Sequence, residues 1–399
     1  MSEQTNKSTQ TLKTAPGWAL LQLGFRPFFW LAAVAAVVLV AGWLYLWASG
    51  AVATPYGAPQ WWHLHEMLFG FCIAVIAGFL LTAAGNWSGT DTASGGMLAL
   101  LAAVWLLGRL LPWFAVLPRW LPAVIDVAFL PLLAGTLARA LWASPQKSNR
   151  VFLALLLTMA ASNVAFHLGV NTDLPLLAQR AGTLMLCLVI LTVAWLSGRV
   201  LPFFTARAVP DSTPQSPPWL GRTATGLLLT WAALWPFLPR HWLTAAIALA
   251  AAVVHVLRLY RWHHPALWRI PILAVLHVAY GWLALGLGLA ALAAAGLSAP
   301  GPAVHALTMG AIGGFTLGMM TRVSLGHSAR PVVAPAWMVV AFVAINLAAL
   351  IRVFGSLALP AYYSLWIASS GALWVLGFAL FLVLFTPVLF TPRADGQPG

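Results

Sequence analysis

The sequence predicts an all-α, polytopic membrane protein with about twelve transmembrane helices, and three observations support this. Of the 399 residues, 62% are hydrophobic and only 7% are charged, against roughly 25% charged residues in soluble domains. The mean hydropathy is +0.90. Twelve apolar runs each approach the roughly 20 residues that a helix needs to cross the hydrocarbon core. These features exclude a soluble globular protein.

Each apolar run predicts one helix of a single membrane domain over residues 28–386. The predicted helices span 28–49, 63–84, 94–112, 119–142, 150–170, 176–200, 219–239, 241–260, 271–296, 303–324, 335–354 and 361–386. A polar, proline-rich stretch at about 201–218 predicts a linker between two six-helix halves. Residues 1–27 and 387–399 remain as short tails at the two ends.

The basic residues predict that both tails are cytoplasmic. The net charge of +13 would suggest nucleic-acid binding in a soluble protein, but here the charges lie between apolar runs and act as orientation signals. With both ends inside, fifteen of the 20 Lys and Arg residues lie on the inner side. The five on the outer side are Arg109, Arg119, Arg180, Arg240 and Arg352. We therefore expect no nucleic-acid partner and direct contact with membrane lipid.

Ionisable side chains at the start of the second predicted helix indicate a functional site. The segment Trp62-His63-Leu64-His65-Glu66 opens a helix that otherwise carries no charge. Ionisable groups at membrane depth cost about 3 kcal/mol or more and commonly mark functional sites. Neutral imidazole is a common ligand of transition metals and of haem iron. We therefore ask what the histidines bind.

The predicted topology sorts the histidines by depth. The candidate metal or haem ligands at the outer level are His63, His65, His167 and His305, and an inner set comprises His255, His277 and His327. The remaining histidines, His241, His263 and His264, are predicted to be solvated. A hydrogen bond to a backbone carbonyl is the alternative role for any single buried histidine.

Spacing constrains these roles further. At about 100° per residue, His63 and His65 point about 200° apart, so they are predicted to serve different partners. Glu66 is predicted to orient a ligating imidazole as a neighbouring carboxylate. His305 and Met309 share one helix face, and methionine sulfur is a soft ligand for haem or Cu(I).

A second pattern pairs helix two with helix ten. At the 240-residue offset between His65 and His305, the small residues Gly70, Ala74 and Gly78 match Gly310, Gly314 and Gly318. Such stripes allow close helix packing or leave room for a flat ligand. Arg26 and Arg322 are candidate contacts for haem propionates, with snorkelling to the lipid headgroups as the alternative.

Long motifs of this chain resemble the NnrS family. They are Gly24-Phe25-Arg26-Pro27-Phe28-Phe29, the stretch from Trp62 to Gly70, His305-Ala306-Leu307-Thr308-Met309-Gly310, and Gly318-Met319-Met320-Thr321-Arg322-Val323 with Gly326-His327. The resemblance covers essentially the whole chain. It implies a multi-pass protein of the bacterial cytoplasmic (inner) membrane that contains haem, here expected to be haem b, and copper. It also implies a role in the response to nitric oxide during denitrification or nitrosative stress.

A fainter similarity to haem-copper oxidase catalytic subunits indicates His65 and His305 as an axial pair for one haem. In that prediction His63 and His167, or the inner set of histidines, hold copper or a second haem. The adjacent-histidine copper motif of those oxidases is missing, because His263 and His264 lie in a loop. Nitric oxide is the expected small-molecule ligand, and the sequence does not identify an electron donor.

Two other classes remain open from the sequence alone. Twelve helices in two sets of six also fit a secondary transporter. Proton-driven transporters carry acids near the midplane, however, and Asp126 is the one acid well inside a predicted crossing. The third possibility is a membrane scaffold that holds metal and catalyses no reaction, since the sequence shows no nucleophile paired with a base.

Overall fold

The computed structural model describes residues 19–397, and helices dominate that part of the chain, which contains no strand. Apart from short 3-10 segments, these residues form twelve helices. They are α1 (Phe25–Ala48), α2 (Pro59–Ser88), α3 (Gly95–Trp113), α4 (Trp120–Ala143), α5 (Lys147–Asn171), α6 (Pro175–Ala208), α7 (Pro218–Leu234), α8 (Trp242–Trp262), α9 (Pro271–Ala294), α10 (Pro300–His327), α11 (Ala336–Ala358) and α12 (Pro360–Phe390).

The predicted all-α membrane fold is confirmed, with eleven of these helices long and apolar enough to cross a bilayer. The exception is α7, which has 17 residues. Residues 201–208 of the predicted linker continue α6, so the non-helical connection between α6 and α7 is shorter and spans 209–217. Helix α1 begins three residues earlier than predicted, so Arg26 belongs to the helix instead of the tail and is fully buried. The orientation of the termini stays a prediction.

Four helices form the centre of the bundle. In the most apolar stretches of α2 and α10, 78% of the residues are buried, and α6 and α9 follow with 72% and 67%, whereas the figure for α1 and α12 is 33%. Helix α1 packs against α2 and α12, and α9 packs against α8 and α10. The central helices therefore supply side chains that are shielded from lipid, which is where polar groups are tolerated.

The small-residue stripes of α2 and α10 serve helix packing. A Cβ atom on Gly310 would overlap the ring of Trp282 of α9, and one on Gly78 would come within 2.9 Å of the Phe29 ring of α1. A Cβ on Gly318 would meet side chains of α9 at the same distance. The flat-ligand interpretation of these stripes is therefore wrong, because neighbouring helices occupy the space.

The pairing of α2 with α10 has a structural counterpart. Each helix changes from α to π geometry directly after its matched histidine, over Glu66–Cys72 and Ala306–Gly313. Such π-helical segments are rare and occur often at functional sites. Both histidines lie near the start of their helices, at the end of the bundle that we call the histidine end.

Candidate metal and cofactor sites

The two histidines that open α2 face different surroundings, as their angular separation predicts. The His63 ring stacks on Trp43 of α1 with ring centroids 4.5 Å apart. The His65 ring lies between Phe69 and Tyr56, at 5.0 Å and 4.5 Å between centroids. The four histidines predicted at one level do lie at one end of the bundle, but they divide into two sites.

The first site is a buried polar cluster centred on Asp126 of α4. Oδ2 of Asp126 lies 3.2 Å from Nε2 of His65 and 2.9 Å from Nε2 of His167. The amide of Asn163 donates to the same oxygen at 2.8 Å. Helices α2 and α5 thus direct polar side chains at one carboxylate of α4, and Asp126 is only 3% exposed.

Arg109 of α3 and Glu66 complete this cluster. Arg109 pairs with the other oxygen of Asp126 through Nη2 and with Glu66 through Nε at 2.8 Å. Glu66 also contacts Nδ1 of His65 at 3.1 Å. Carboxylate oxygens only accept, so both ring nitrogens of His65 donate. The guanidinium of Arg109 therefore lies between the two acidic side chains, which offsets part of the cost of burying them.

Tyr56, in the loop before α2, covers the cluster. Its ring centroid lies 5.7 Å from that of His167, and the side chain is 5% exposed. Burial, followed by the negative charges of Glu66 and Asp126, raises the pKa of Tyr56 well above its usual value of 10. Tyr56 therefore stays a neutral phenol and adds no charge to the site.

Three side chains of this cluster form a set of metal donors. Nitrogens of His65 and His167 and an oxygen of Asp126 all lie within 4.8 Å of one another. Within residues 19–397 this is the one group of three or more such side chains that meets this condition. Two imidazoles with a carboxylate suit copper, zinc or iron. A metal ion there would replace the protons that the histidines donate to Asp126.

The second site is a cavity of about 900 Å³ at the histidine end. His63 of α2 and His305 of α10 both line it, and His65 is absent from its wall. Nδ1 of His305 is 2.8 Å from the carbonyl oxygen of Gly301, which leaves Nε2 without a hydrogen bond among the described residues. Nδ1 of His63 is buried without a hydrogen-bond partner. His63 and His305 therefore share one cavity, whereas His65 faces the Asp126 cluster.

The wall of the cavity combines apolar and soft side chains with a basic rim. Met309 lines it one turn below His305, as their spacing predicts, and Trp43 and Trp374 supply aromatic surface. Three arginines from separate segments also line it, namely Arg180, Arg240 and Arg352. Two of them contact aromatic side chains: Arg352 donates a hydrogen bond to Tyr363 at 2.9 Å, and the guanidinium of Arg180 lies over the ring of Phe237. The cavity therefore favours an apolar ligand that carries negative groups.

The arginines predicted to contact a cofactor lie elsewhere. Nη1 of Arg26 donates to the carbonyl oxygens of Leu389 and Thr391 at 2.9 and 2.7 Å, where it caps the end of α12. Arg322 stacks on Phe204 at 3.7 Å. Neither lines the cavity, and the arginines that do line it are Arg180, Arg240 and Arg352.

The inner set of histidines does not converge on one point. Nδ1 of His255 lies 2.6 Å from the hydroxyl of Tyr280, and Nδ1 of His277 lies 3.0 Å from a carbonyl oxygen of its own helix. His327 packs against the Phe25 ring. As the structure stands, these three do not form a joint ligand set.

Several residues of the two sites were not among the predicted site residues. Asp126 stands out in the sequence only as an acid well inside a predicted crossing, and in the structure it pairs with Arg109. Arg109 and the three rim arginines were interpreted only as orientation charges. His241 was predicted to be solvated, yet it lines the cavity while its Nδ1 accepts from the backbone of Leu243 at the start of α8.

A known protein family covers nearly all of this chain. No curated protein matches the chain at a significant level. A family model described as NnrS protein matches residues 19–393, which is nearly the whole chain and includes both sites. The chain therefore belongs to the NnrS family.

Proposed function

We propose that this protein holds haem b and copper in the bacterial cytoplasmic membrane, and that it binds or processes nitric oxide as part of the response to nitrosative stress. The observation that carries the proposal is the cavity lined by His63 and His305. Its volume of about 900 Å³ lies within the range of small-molecule and cofactor sites. Family membership supports the same assignment.

The residues of the cavity fit a haem. His63 and His305 lie on two central helices, and neither has its full hydrogen-bonding capacity used by protein. The aromatic wall would contact the macrocycle, and Arg180, Arg240 and Arg352 would hold its carboxylates through charge-assisted hydrogen bonds. Met309 is a further soft donor in the same wall. A haem held by these residues would supply an iron to which a diatomic gas binds.

The Asp126 cluster fits copper. His65, His167 and Asp126 would hold the ion, because imidazole is a good ligand for copper and a carboxylate offsets its charge. Glu66 accepts from the far nitrogen of His65 and so fixes the orientation of that ring, as predicted for a neighbouring carboxylate. The ring of Tyr56 and the low exposure of the cluster exclude bulk water from the site.

The test of the haem and nitric-oxide assignment is the reduced-minus-oxidised absorption spectrum of the purified protein, recorded with and without nitric oxide. A haem band that shifts with the gas is the expected result. A haem band that ignores the gas would limit the haem to electron transfer or structure. Absence of haem from protein produced with ample haem would refute the assignment.

The test of the copper assignment is the copper content per chain by elemental analysis. The variants His65→Ala and His167→Ala should lose copper, and His263→Ala, in an exposed loop histidine, should retain it. Retention of copper in both cluster variants would contradict the assignment.

A second candidate, a secondary transporter, is favoured by the rim of the same cavity. An apolar pocket with three arginines also suits an organic anion. A metal-holding scaffold without turnover is the third reading. Uptake of an organic anion by vesicles that contain haem-free protein would favour the transporter, whereas haem bound in stoichiometric amount without any reaction would favour the scaffold.

A further inference from the structure

A second cavity, of about 300 Å³, lies at the end of the bundle opposite the histidine end. Its walls come from α6, the 209–217 connection, the start of α7 and the end of α8. Its lining includes Gly198, Gln215, Ser216, Gly221, Arg258 and Trp262. It shares no lining residue with the histidine cavity.

Arg258 is a buried cation that lacks a carboxylate partner. It is 7% exposed, and none of the ion pairs within residues 19–397 includes it. Nη1 donates to the hydroxyl of Tyr280 at 2.8 Å, and the Trp262 ring lies 4.6 Å from the guanidinium carbon. These neutral partners leave the charge unbalanced. Arg109 is buried to a similar extent but pairs with two carboxylates. The positive charge of Arg258 therefore lacks the acidic partners that Arg109 has.

The backbone leaves room for this guanidinium. A Cβ atom at position 198 would overlap Nη2 of Arg258, so the glycine allows the side chain to lie against α6. Both residues line the cavity. Burial of an arginine without an acid is costly unless an anion completes the site.

The opposite wall supplies neutral donors. Oγ of Ser216 is buried and has no hydrogen-bond partner, and the amide of Gln215 lines the same wall. Helix α7 begins there at Pro218 without a side-chain cap. Of its first three residues only Trp219 offers a free N–H group, because Pro218 has none and the N–H of Leu220 donates to the carbonyl oxygen of Pro217. A Cβ on Gly221 would meet nothing within 4 Å, which leaves the approach to that turn open. Helix N-termini favour negative charge.

We propose that this cavity binds a phosphate group, held by Arg258 and Ser216 against the start of α7. A guanidinium fork matches the oxygens of a phosphate. The volume accommodates a phosphate with part of an attached ester. The exposed rings of Trp219 and Phe203 flank this region, as aromatic side chains do at a membrane interface. The phosphate therefore belongs either to a lipid headgroup or to a free ion.

The experiment measures the unfolding temperature of the delipidated full-length protein in neutral detergent at constant ionic strength. One series adds inorganic phosphate, and the other adds phosphatidylglycerol. The variants are Ser216→Ala and Arg258→Lys, with Arg222→Gln as the matched control. Arg222 is an exposed arginine in the first turns of α7 that does not line the cavity.

We expect the wild type and Arg222→Gln to be stabilised with the same midpoint concentration. Loss of one charge-assisted hydrogen bond should raise that midpoint about tenfold in each cavity variant. Stabilisation by inorganic phosphate would identify a free-ion site, and stabilisation by the lipid alone would identify a headgroup site. Absence of stabilisation by both, or an unchanged midpoint in Ser216→Ala, would overturn the proposal even if Arg258→Lys fails to fold.

Discussion

Replacing Asp126 by Asn removes the charge on which the buried cluster depends while keeping the shape of the side chain. The carboxylate accepts from Arg109 on one oxygen and from His65, Asn163 and His167 on the other. An amide group donates on one side, so one set of donors loses its acceptor. Hydrogen bonds to charged groups contribute about 1.5–3 kcal/mol each, and breaking a buried ion pair costs about 3–5 kcal/mol. We therefore expect the free energy of unfolding to fall by about 3–5 kcal/mol.

The assay is denaturation by an anionic detergent, followed by circular dichroism. The matched control is Asp173→Asn, an exposed acid after α5 with φ of 54°, a conformation that Asn tolerates well. Its effect should stay within about 0.5 kcal/mol. A loss of less than about 1 kcal/mol in Asp126→Asn would refute the claim that this carboxylate organises the cluster.

Three further predictions test other parts of the structure. Gly310→Ala should destabilise the protein by about 1–3 kcal/mol, and a combination with Trp282→Leu should restore part of the loss in a double-mutant cycle, whereas additive effects would contradict the packing role. Arg26→Met should speed amide hydrogen exchange at the end of α12, where Arg26 caps carbonyls, and unchanged exchange would exclude the cap. The raised pKa of Tyr56 means that above about pH 10 the unfolded chain loses a proton that the folded chain keeps, so stability falls with rising pH. Tyr56→Phe should lack this part of the decline, and an identical pH profile would show that the phenol titrates freely.

The fold was predictable because the length and hydropathy of an apolar run are enough to identify a membrane-spanning helix. The depth of the histidines followed from the same count of crossings, and the divergence of His63 from His65 followed from helix geometry. The sequence did not predict which helices lie side by side in the membrane plane. Depth alone does not say which neighbour His65 faces, so the sequence paired it with His305, whereas Asp126 engages it in the structure.

The positions of the outer arginines in the sequence already pointed to the two sites. Of the five basic residues on the predicted outer side, Arg109 lies in the buried cluster, and Arg180, Arg240 and Arg352 line the histidine cavity. A basic residue on the outer side is an exception to the excess of basic residues on the inner side. An ion pair or an anionic ligand beside it can explain such an exception. The abundant inner arginines, by contrast, include Arg26 and Arg322, which serve packing and capping.

The most direct test of the central claim is the haem content of four purified variants: His63→Ala, His305→Ala, His65→Ala and His263→Ala. We expect the first two variants to lose the same haem signal, and His65→Ala and the loop control His263→Ala to retain it. Loss of haem in His65→Ala together with retention in His63→Ala would contradict the assignment of the cavity as the haem site.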